Sequence, residues 1–261
     1  MIPKTIHYCW FGGNPLPKLA KKCIKSWEKH CKGYEIREWN EHTFDIASAP
    51  LYVRQAYEAK KWAFVTDYVR LQVVHEHGGI YLDTDVELKK RLDSLLGYEA
   101  FFGFEDGIHV NTGLGFGAVA GQPVVKAIMD DYDGIPFIKE DGSGDQETCP
   151  RRNTRVLLRY GLKQDDSKQI LDENVLILPS VYLCPLSYET GKRRYSKDTV
   201  SIHWFGASWQ TKEQRNKHKE NRKRIRRTEI TDYVTHIPNR MIRGLLGEIR
   251  YEKLKRRIKR R

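Results

Sequence analysis

Asp83 and Asp85 stand two residues apart at the end of Gly78-Gly79-Ile80-Tyr81-Leu82, a short apolar run behind a Gly-Gly pair. In an extended strand, residues i and i+2 point to the same face, so the spacing predicts two carboxylates aimed at one point. Two such charges repel unless a cation lies between them. Oxygen ligands of this kind suit Mn²⁺ or Mg²⁺, which complete their shells with water and substrate phosphates. The chemistry predicted is a metal–diphosphate site, in an enzyme that handles nucleotides or other phosphorylated donors.

Other residues could serve the same chemistry. Asp67 and Arg70 lie three apart and share a face of the helix that leads into the Asp-x-Asp run. They read either as a surface ion pair of little worth, or as a carboxylate for sugar hydroxyls beside a guanidinium fork for phosphate oxygens. His203 closes an apolar strand just before a Gly-containing turn, where a neutral imidazole could complete a Mn²⁺ shell. Ser208 and the Trp209 indole are donors suited to a phosphate, although Trp204 and Trp209 also fit a packed core. Asn111-Thr112-Gly113 fits a turn that lets backbone approach a ligand. Asp145 and Gln146, on the polar Gly-rich segment 139–148, read equally as functional groups on a flexible loop or as a solvated turn.

The elements that would position these groups follow from periodicity. Residues 4–11 and 34–39 read as strands around a helix at 17–31, where Leu19, Cys23, Ile24 and Trp27 keep a helical spacing. Such a strand–helix–strand opening suggests a nucleotide-binding α/β half. Helices are predicted at 51–61 and 62–76, then a strand at 80–82 that carries the paired aspartates. Strands near 100–104 and 114–119, a helix near 123–132, a helix at 154–160 and strands at 175–178 and 199–204 complete the reading.

Charge separates the chain into two parts. The net charge of +12 sits beyond residue 211, where residues 212–261 hold 19 Lys/Arg against 6 Asp/Glu. The neutral body, 1–211, argues against a nucleic-acid-binding fold, so no nucleic-acid partner is expected. In the tail, Ile242, Leu245, Leu246 and Ile249 keep i, i+3, i+4, i+7 spacing among basic residues. That pattern suits either an interfacial helix on an anionic membrane surface or a helix packed on the body. Five cysteines without a CxxC pair point to reduced thiols in a cytoplasmic setting. No signal-peptide core and no run near 20 apolar residues is present, so any membrane contact is expected to be peripheral.

Taken together the motifs resemble glycosyltransferase family 32, the Och1-like and bacterial capsular enzymes with a DXD sugar-binding region. The resemblance rests on Ile2-Pro3-Lys4-Thr5-Ile6-His7-Tyr8-Cys9-Trp10-Phe11-Gly12-Gly13, on Trp62 to Arg70, on Gly78 to Asp85, and on Ile202-His203 with Ser208-Trp209. The Asp-x-x-Arg…Gly-Gly-x-Tyr-Leu-Asp-x-Asp pattern is shared with the glucosyltransferase domains of clostridial toxins. The resemblance implies a GT-A, Rossmann-like α/β catalytic domain over 1–211, followed by the basic, helical tail 212–261. It implies Asp83, Asp85 and His203 at a Mn²⁺ or Mg²⁺, and backbone near Trp10 and Phe11 at the base. Asp67 would sit at ribose or sugar hydroxyls, Arg70 at the sugar–phosphate region, and Ser208 and Trp209 at the β-phosphate. Asp145-Gln146 would face the anomeric carbon. Many bacterial members carry a second His where Trp204 stands.

The activity expected is a retaining, metal-dependent hexosyl transfer from UDP-Gal or UDP-Glc to a glycan, in particular a lipid-linked oligosaccharide of capsule or exopolysaccharide synthesis at the inner face of the plasma membrane. A GDP-mannose-dependent mannosyltransferase is the alternative donor reading. A phosphatase of the haloacid dehalogenase type also uses Asp-x-Asp after a strand, but Glu87 stands where that motif expects Thr or Val. A non-catalytic, basic membrane-binding protein on a degenerate transferase fold is the remaining alternative.

Overall fold

The computed structural model describes residues 1–206, 213, 216–217, 220–225, 227–228 and 239–259. Two compact units result. The first comprises Met1–Tyr188 and Lys192–Trp209, and the second Glu189–Gly191 and Gln210–Arg261.

The first unit is built on β1 (Thr5–Cys9), β2 (Glu35–Trp39), β3 (Gly79–Tyr81), β5 (Ala100–Gly103), β6 (Phe116–Ala118), β7 (Gln169–Leu171) and β8 (Val175–Leu178). They form one sheet in the order β2-β1-β3-β6-β5-β8-β7. Pairing is parallel for β1 with β2, β1 with β3 and β5 with β8, while β6 and β7 run the other way. Five strands thus point in one direction, and the α/β class expected from the sequence is the class observed. Helices α1 (Lys18–His30), α2 (Leu51–Glu58), α3 (Trp62–His77), α4 (Pro123–Asp130), α5 (Cys149–Leu158) and α6 (Ser180–Leu183) surround it.

Alternation along the strands explains the layers. Tyr81, Phe102, Val175 and Ile177 enter one core with α2–α5, whereas Ile80, Phe101, Leu176 and Leu178 enter the other with Cys23 and Trp27 of α1. Both faces being covered accounts for near-continuous apolar strands. Helix α3 is buried along most of its length, with Val65, Val69, Leu71, Val73 and Val74 in the core.

The join between α3 and β3 is tight. Gly78 (φ 64°) ends the helix and Gly79 (φ 109°) opens the strand. A Cβ on Gly79 would lie 2.8 Å from His7 Nε2 and from the Thr5 carbonyl oxygen, so β3 can lie this close to β1 only with glycine there. His7 is fully buried. Its Nε2 meets the Gly78 carbonyl at 2.9 Å and its Nδ1 accepts from the Trp39 indole at 3.0 Å. A carbonyl only accepts, so Nε2 carries the proton and the ring is neutral.

Several elements differ from the sequence expectations. Helix α5 begins at Cys149 rather than 154, because Pro150 is tolerated in a first turn. Segment 139–148 is a loop, as expected, but one tied back on itself: Ile138 bridges to Gly144, and the Asp145 N–H donates to the Phe137 carbonyl at 2.7 Å. Strand β7 and helix α6 were not predicted. In the second unit, Asn239–Lys259 is helical but broken at Gly247 (φ 69°, ψ 157°). The break falls between Leu246 and Ile249, inside the expected apolar repeat.

Burial lowers the His7 pKa to about 4, chiefly by desolvation. A folded-state value below the unfolded one near 6.5 means stability is present above pH 6.5 and lost as pH falls toward 4. Urea denaturation should show wild type losing about 3 kcal/mol more than His7→Gln between pH 7 and pH 4; parallel pH profiles would contradict this.

Candidate active site

Helix α3 delivers Asp67 and Arg70 from inside the core. Arg70 is 3% exposed, and its carbon stem needs the apolar surroundings that its charge does not. The charge is met on several sides. Nη2 lies 3.1 Å from Asp67 Oδ1 and 3.3 Å from Asp83 Oδ1, and Nε donates to the Thr66 carbonyl at 3.0 Å. The guanidinium also stands 5.1 Å from the centre of the Tyr81 ring. Arg70 thus directs its donors at the protein's own carboxylates, and through them fixes Asp83.

The paired aspartates are not on a strand. Asp83-Thr84-Asp85 forms a turn, closed by the Val86 N–H donating to the Asp83 carbonyl at 2.9 Å. Beyond it runs β4 (Val86–Leu88), absent from the sequence reading because it is only three residues long. It pairs antiparallel with β9 (Ser201–His203), and Val86 lies opposite His203. This small ladder joins residues more than a hundred positions apart. The carboxylates converge by turn geometry and not by strand alternation.

Asp83, Asp85 and His203 each offer a ligand atom within 4.8 Å of the others. His203 Nε2 is 3.0 Å from Asp85 Oδ1 and 3.9 Å from Asp83 Oδ2. The Tyr81 hydroxyl donates to Asp83 Oδ1 at 2.8 Å, and the Gly206 N–H donates to Asp85 Oδ2 at 2.7 Å. Bonds of about 2.1 Å to an octahedral cation leave adjacent ligands roughly 3 Å apart and opposite ones roughly 4.2 Å. The two His203 separations, 3.0 and 3.9 Å, fall in that range, and two carboxylates with one imidazole suit Mn²⁺ or Mg²⁺. The residues fit such a cation.

Electrostatics agree with the geometry. Burial pushes the Asp83 carboxyl up, and Arg70 only partly offsets it. Burial acts the same way on Asp85, but His203 and the Gly206 N–H outweigh it and hold Asp85 below the usual carboxylate range. Burial would lower His203, yet the Asp85 charge raises it overall. Asp67 is pushed by desolvation to about 6, against the pull of Arg70.

All of this lies at the carboxyl ends of β1, β3 and β5, the edge where open α/β sheets bind ligands. Phe11 is buried with its ring edge-on to Phe44, so only its backbone can border a ligand. Trp10 is half-buried and its indole donates to the Asn14 carbonyl at 2.5 Å. Gly113 backs the aspartates: a Cβ there would meet Asp83 Oδ2 at 2.6 Å and Arg70 Nη1 at 3.0 Å. Asn111 holds that turn, accepting from the Gly113 N–H at 2.6 Å and donating to Glu105 at 2.5 Å.

Asp145, on the loop 139–148, is buried and not solvated. Its Oδ2 receives Arg152 Nη2 at 2.5 Å, in a separate ion network with Asp131 and Glu147. Gln146 is exposed and donates to the Gly144 carbonyl at 3.1 Å. Ser208 and Trp209 lie outside the described residues. Trp204 turns away from the aspartates and donates its indole N–H to Glu87 at 2.8 Å. Sequence reasoning missed Tyr81 and Glu105. Tyr81 had a readable signal, since it stands two residues before Asp83; Glu105 had none.

Residues 17–102 match the family described as glycosyltransferase sugar-binding region containing DXD motif. An uncharacterized glycosyltransferase of Acanthamoeba polyphaga mimivirus is 30% identical over 115 residues, covering 39% of this chain and 43% of that protein. Inositol phosphoceramide mannosyltransferase 3 of Schizosaccharomyces pombe is 33% identical over 104 residues, covering 38% of this chain and 29% of its own length. The chain thus spans less than half of either curated relative. Among solved structures, PaToxG glycosyltransferase superposes with a TM-score of 0.45 at 15% identity, covering 60% of this chain and 68% of that one.

His203 must lose its proton to ligate a cation, and its raised pKa makes protons compete. Mn²⁺ affinity, read by electron paramagnetic resonance of free Mn²⁺, should weaken by up to about tenfold per pH unit below neutrality. His203→Ala should bind more weakly at pH 8 and with a flatter profile; identical profiles would exclude His203 as a ligand.

Proposed function

We propose that this chain, which over residues 17–102 carries the DXD-containing sugar-binding region of glycosyltransferases, moves a hexose from a nucleotide sugar to a glycan acceptor. The observation that carries the reading is the convergence of Asp83, Asp85 and His203 at the carboxyl edge of the sheet. A bound Mn²⁺ or Mg²⁺ supplies Lewis-acid stabilisation of the departing nucleoside diphosphate.

The chain's own residues do the rest. Asp83, Asp85 and His203 hold the cation. Arg70 fixes Asp83 and offsets its charge. Asp67, a carboxylate paired with Arg70, is an acceptor for sugar hydroxyls. Backbone at Trp10 and Phe11 borders the base, and Asn111 with Gly113 shapes the wall behind the diphosphate. Ser208 and Trp209 are proposed as donors to the β-phosphate, and Asp145 with Gln146 as the neighbours of the anomeric carbon.

The buried and partly buried carboxylates around the site are each engaged: Glu87 with Lys22 and Lys89, Asp145 with Arg152, Asp67 and Asp83 with Arg70, Asp85 with His203, and Glu105 with Asn111. This supports same-face displacement. The anomeric C–O bond to phosphate breaks, the acceptor oxygen bonds from the same face, and its proton passes to the leaving phosphate. Configuration is retained.

UDP-Gal or UDP-Glc is the proposed donor. The similarity to a protein named as a mannosyltransferase favours GDP-mannose as the second reading. Among the described residues no helix is long and apolar enough to cross a membrane. The 19 Lys/Arg of residues 212–261 support a further proposal. In it, the catalytic domain 1–211 is held at the inner face of the plasma membrane by the tail 212–261, on anionic lipid, and extends a lipid-linked capsular glycan.

Hydrolysis of UDP-Gal, UDP-Glc, UDP-GlcNAc, UDP-GalNAc and GDP-Man should single out one donor, require Mn²⁺ or Mg²⁺, and fall at least about 100-fold in Asp85→Ala. Turnover that ignores both metal and Asp85 would refute the reading. Phosphomonoester hydrolysis without donor turnover would favour a phosphatase.

A further inference from the structure

We propose that Phe205 is the positioning residue that aims His203 at the cation site, a proposal that rests on the metal reading above. A ligating histidine is ordinarily oriented by a hydrogen bond from its other ring nitrogen to a carboxylate or carbonyl. Here that nitrogen, His203 Nδ1, is buried and has no partner among the described residues. What meets the ring instead is Phe205, edge-on, with ring centroids 4.3 Å apart and planes at 84°. Phe205 is backed in turn by Tyr188 at 5.0 Å.

The backbone at Phe205 makes the same point. Its φ is 52°, in the left-handed region. A bulky side chain there is an outlier that costs free energy and persists only where the surroundings enforce it. The other non-glycine residues with positive φ among those described are Lys60, Asp166, Glu173 and Asn174, all polar. Glycine at 205 would adopt this conformation without strain. It would lack the ring.

The strained turn delivers two groups to the site at once. The next residue's N–H, that of Gly206, reaches Asp85 Oδ2 at 2.7 Å. The Phe205 ring itself lies against His203. The preceding residue is fastened independently: the Trp204 N–H donates to the Asp85 carbonyl at 3.0 Å and its indole to Glu87. Lys22 and Arg193 stand 5.3 and 6.0 Å from the Trp204 ring centre. His203 is thus held between an anchored Trp204 and a strained Phe205, and packing sets its ring plane where a hydrogen bond usually would.

The test is Mn²⁺ affinity, by electron paramagnetic resonance, in wild type, Phe205→Leu, Phe205→Gly and Phe205→Tyr, with thermal unfolding of each metal-free protein. Leu keeps an apolar side chain against Tyr188 but removes the aromatic edge. Gly relieves the backbone and removes the side chain. Tyr keeps the ring. The Leu and Gly variants should bind Mn²⁺ about tenfold or more weakly, while Tyr binds as wild type and metal-free Leu melts within about 3 °C of wild type. Wild-type affinity in Leu and Gly would overturn this proposal alone. Loss of affinity accompanied by collapse of the metal-free fold in both would assign Phe205 to packing and overturn it too. Absence of Mn²⁺ binding by the wild type would overturn both this proposal and the metal reading.

Discussion

Asp83 and Asp85 are two like charges set a turn apart in a largely buried place, and much of the first unit can be understood as what makes that arrangement tenable. Neither carboxylate can remain ionised there without positive charge nearby. Arg70 provides it for Asp83 from the buried face of α3. His203 provides it for Asp85 from the far end of the chain, across the β4–β9 ladder. A divalent cation would let His203 exchange its proton for a metal bond while the carboxylates keep their charge.

The supporting structure is dense because this centre is costly. Arg70 can be buried only because α3 is apolar around it and its charge is met on several sides. The neutral, doubly bonded His7 holds the Gly78 carbonyl, and the closeness of β3 to β1 leaves room for no side chain at Gly79. The turn bearing the aspartates is thereby seated at the strand end. Gly113 leaves space for Asp83, and the Gly206 N–H, next to Phe205, donates to Asp85. The Arg152 network with Asp131, Asp145 and Glu147 is a second buried ion cluster, which fastens the 139–148 loop to α5.

Local chemistry was readable in the sequence where a short rule governs it. The apolar strands, the helical spacing of Leu19, Cys23 and Trp27, and the apolar positions Val65, Val69, Val73 and Val74 of α3 follow from periodicity and burial. Asp83, Asp85 and His203, singled out by residue type and motif, lie close together in the structure. What was not readable depends on contacts across the chain. β4 is three residues long and exists through its pairing with β9, so the aspartates were assigned to a strand although they occupy a turn. Asp145, a loop residue, could be read as solvated because Arg152, its partner, becomes its neighbour only when α5 packs. Glu105 carries no motif, and nothing local announces the left-handed backbone of Phe205. The tail's apolar stripe was counted through Gly247, where the helix breaks.

The central claim is that Asp83, Asp85 and His203 together hold a divalent cation on a nucleoside diphosphate. The most direct measurement is a crystal structure of the full chain grown with Mn²⁺ and UDP, with anomalous differences collected at the manganese edge. The account predicts one strong peak within bonding distance of Asp83, Asp85 and His203 and of the diphosphate oxygens. A peak bound elsewhere, or UDP bound at the sheet edge with no manganese between these three residues, would contradict it.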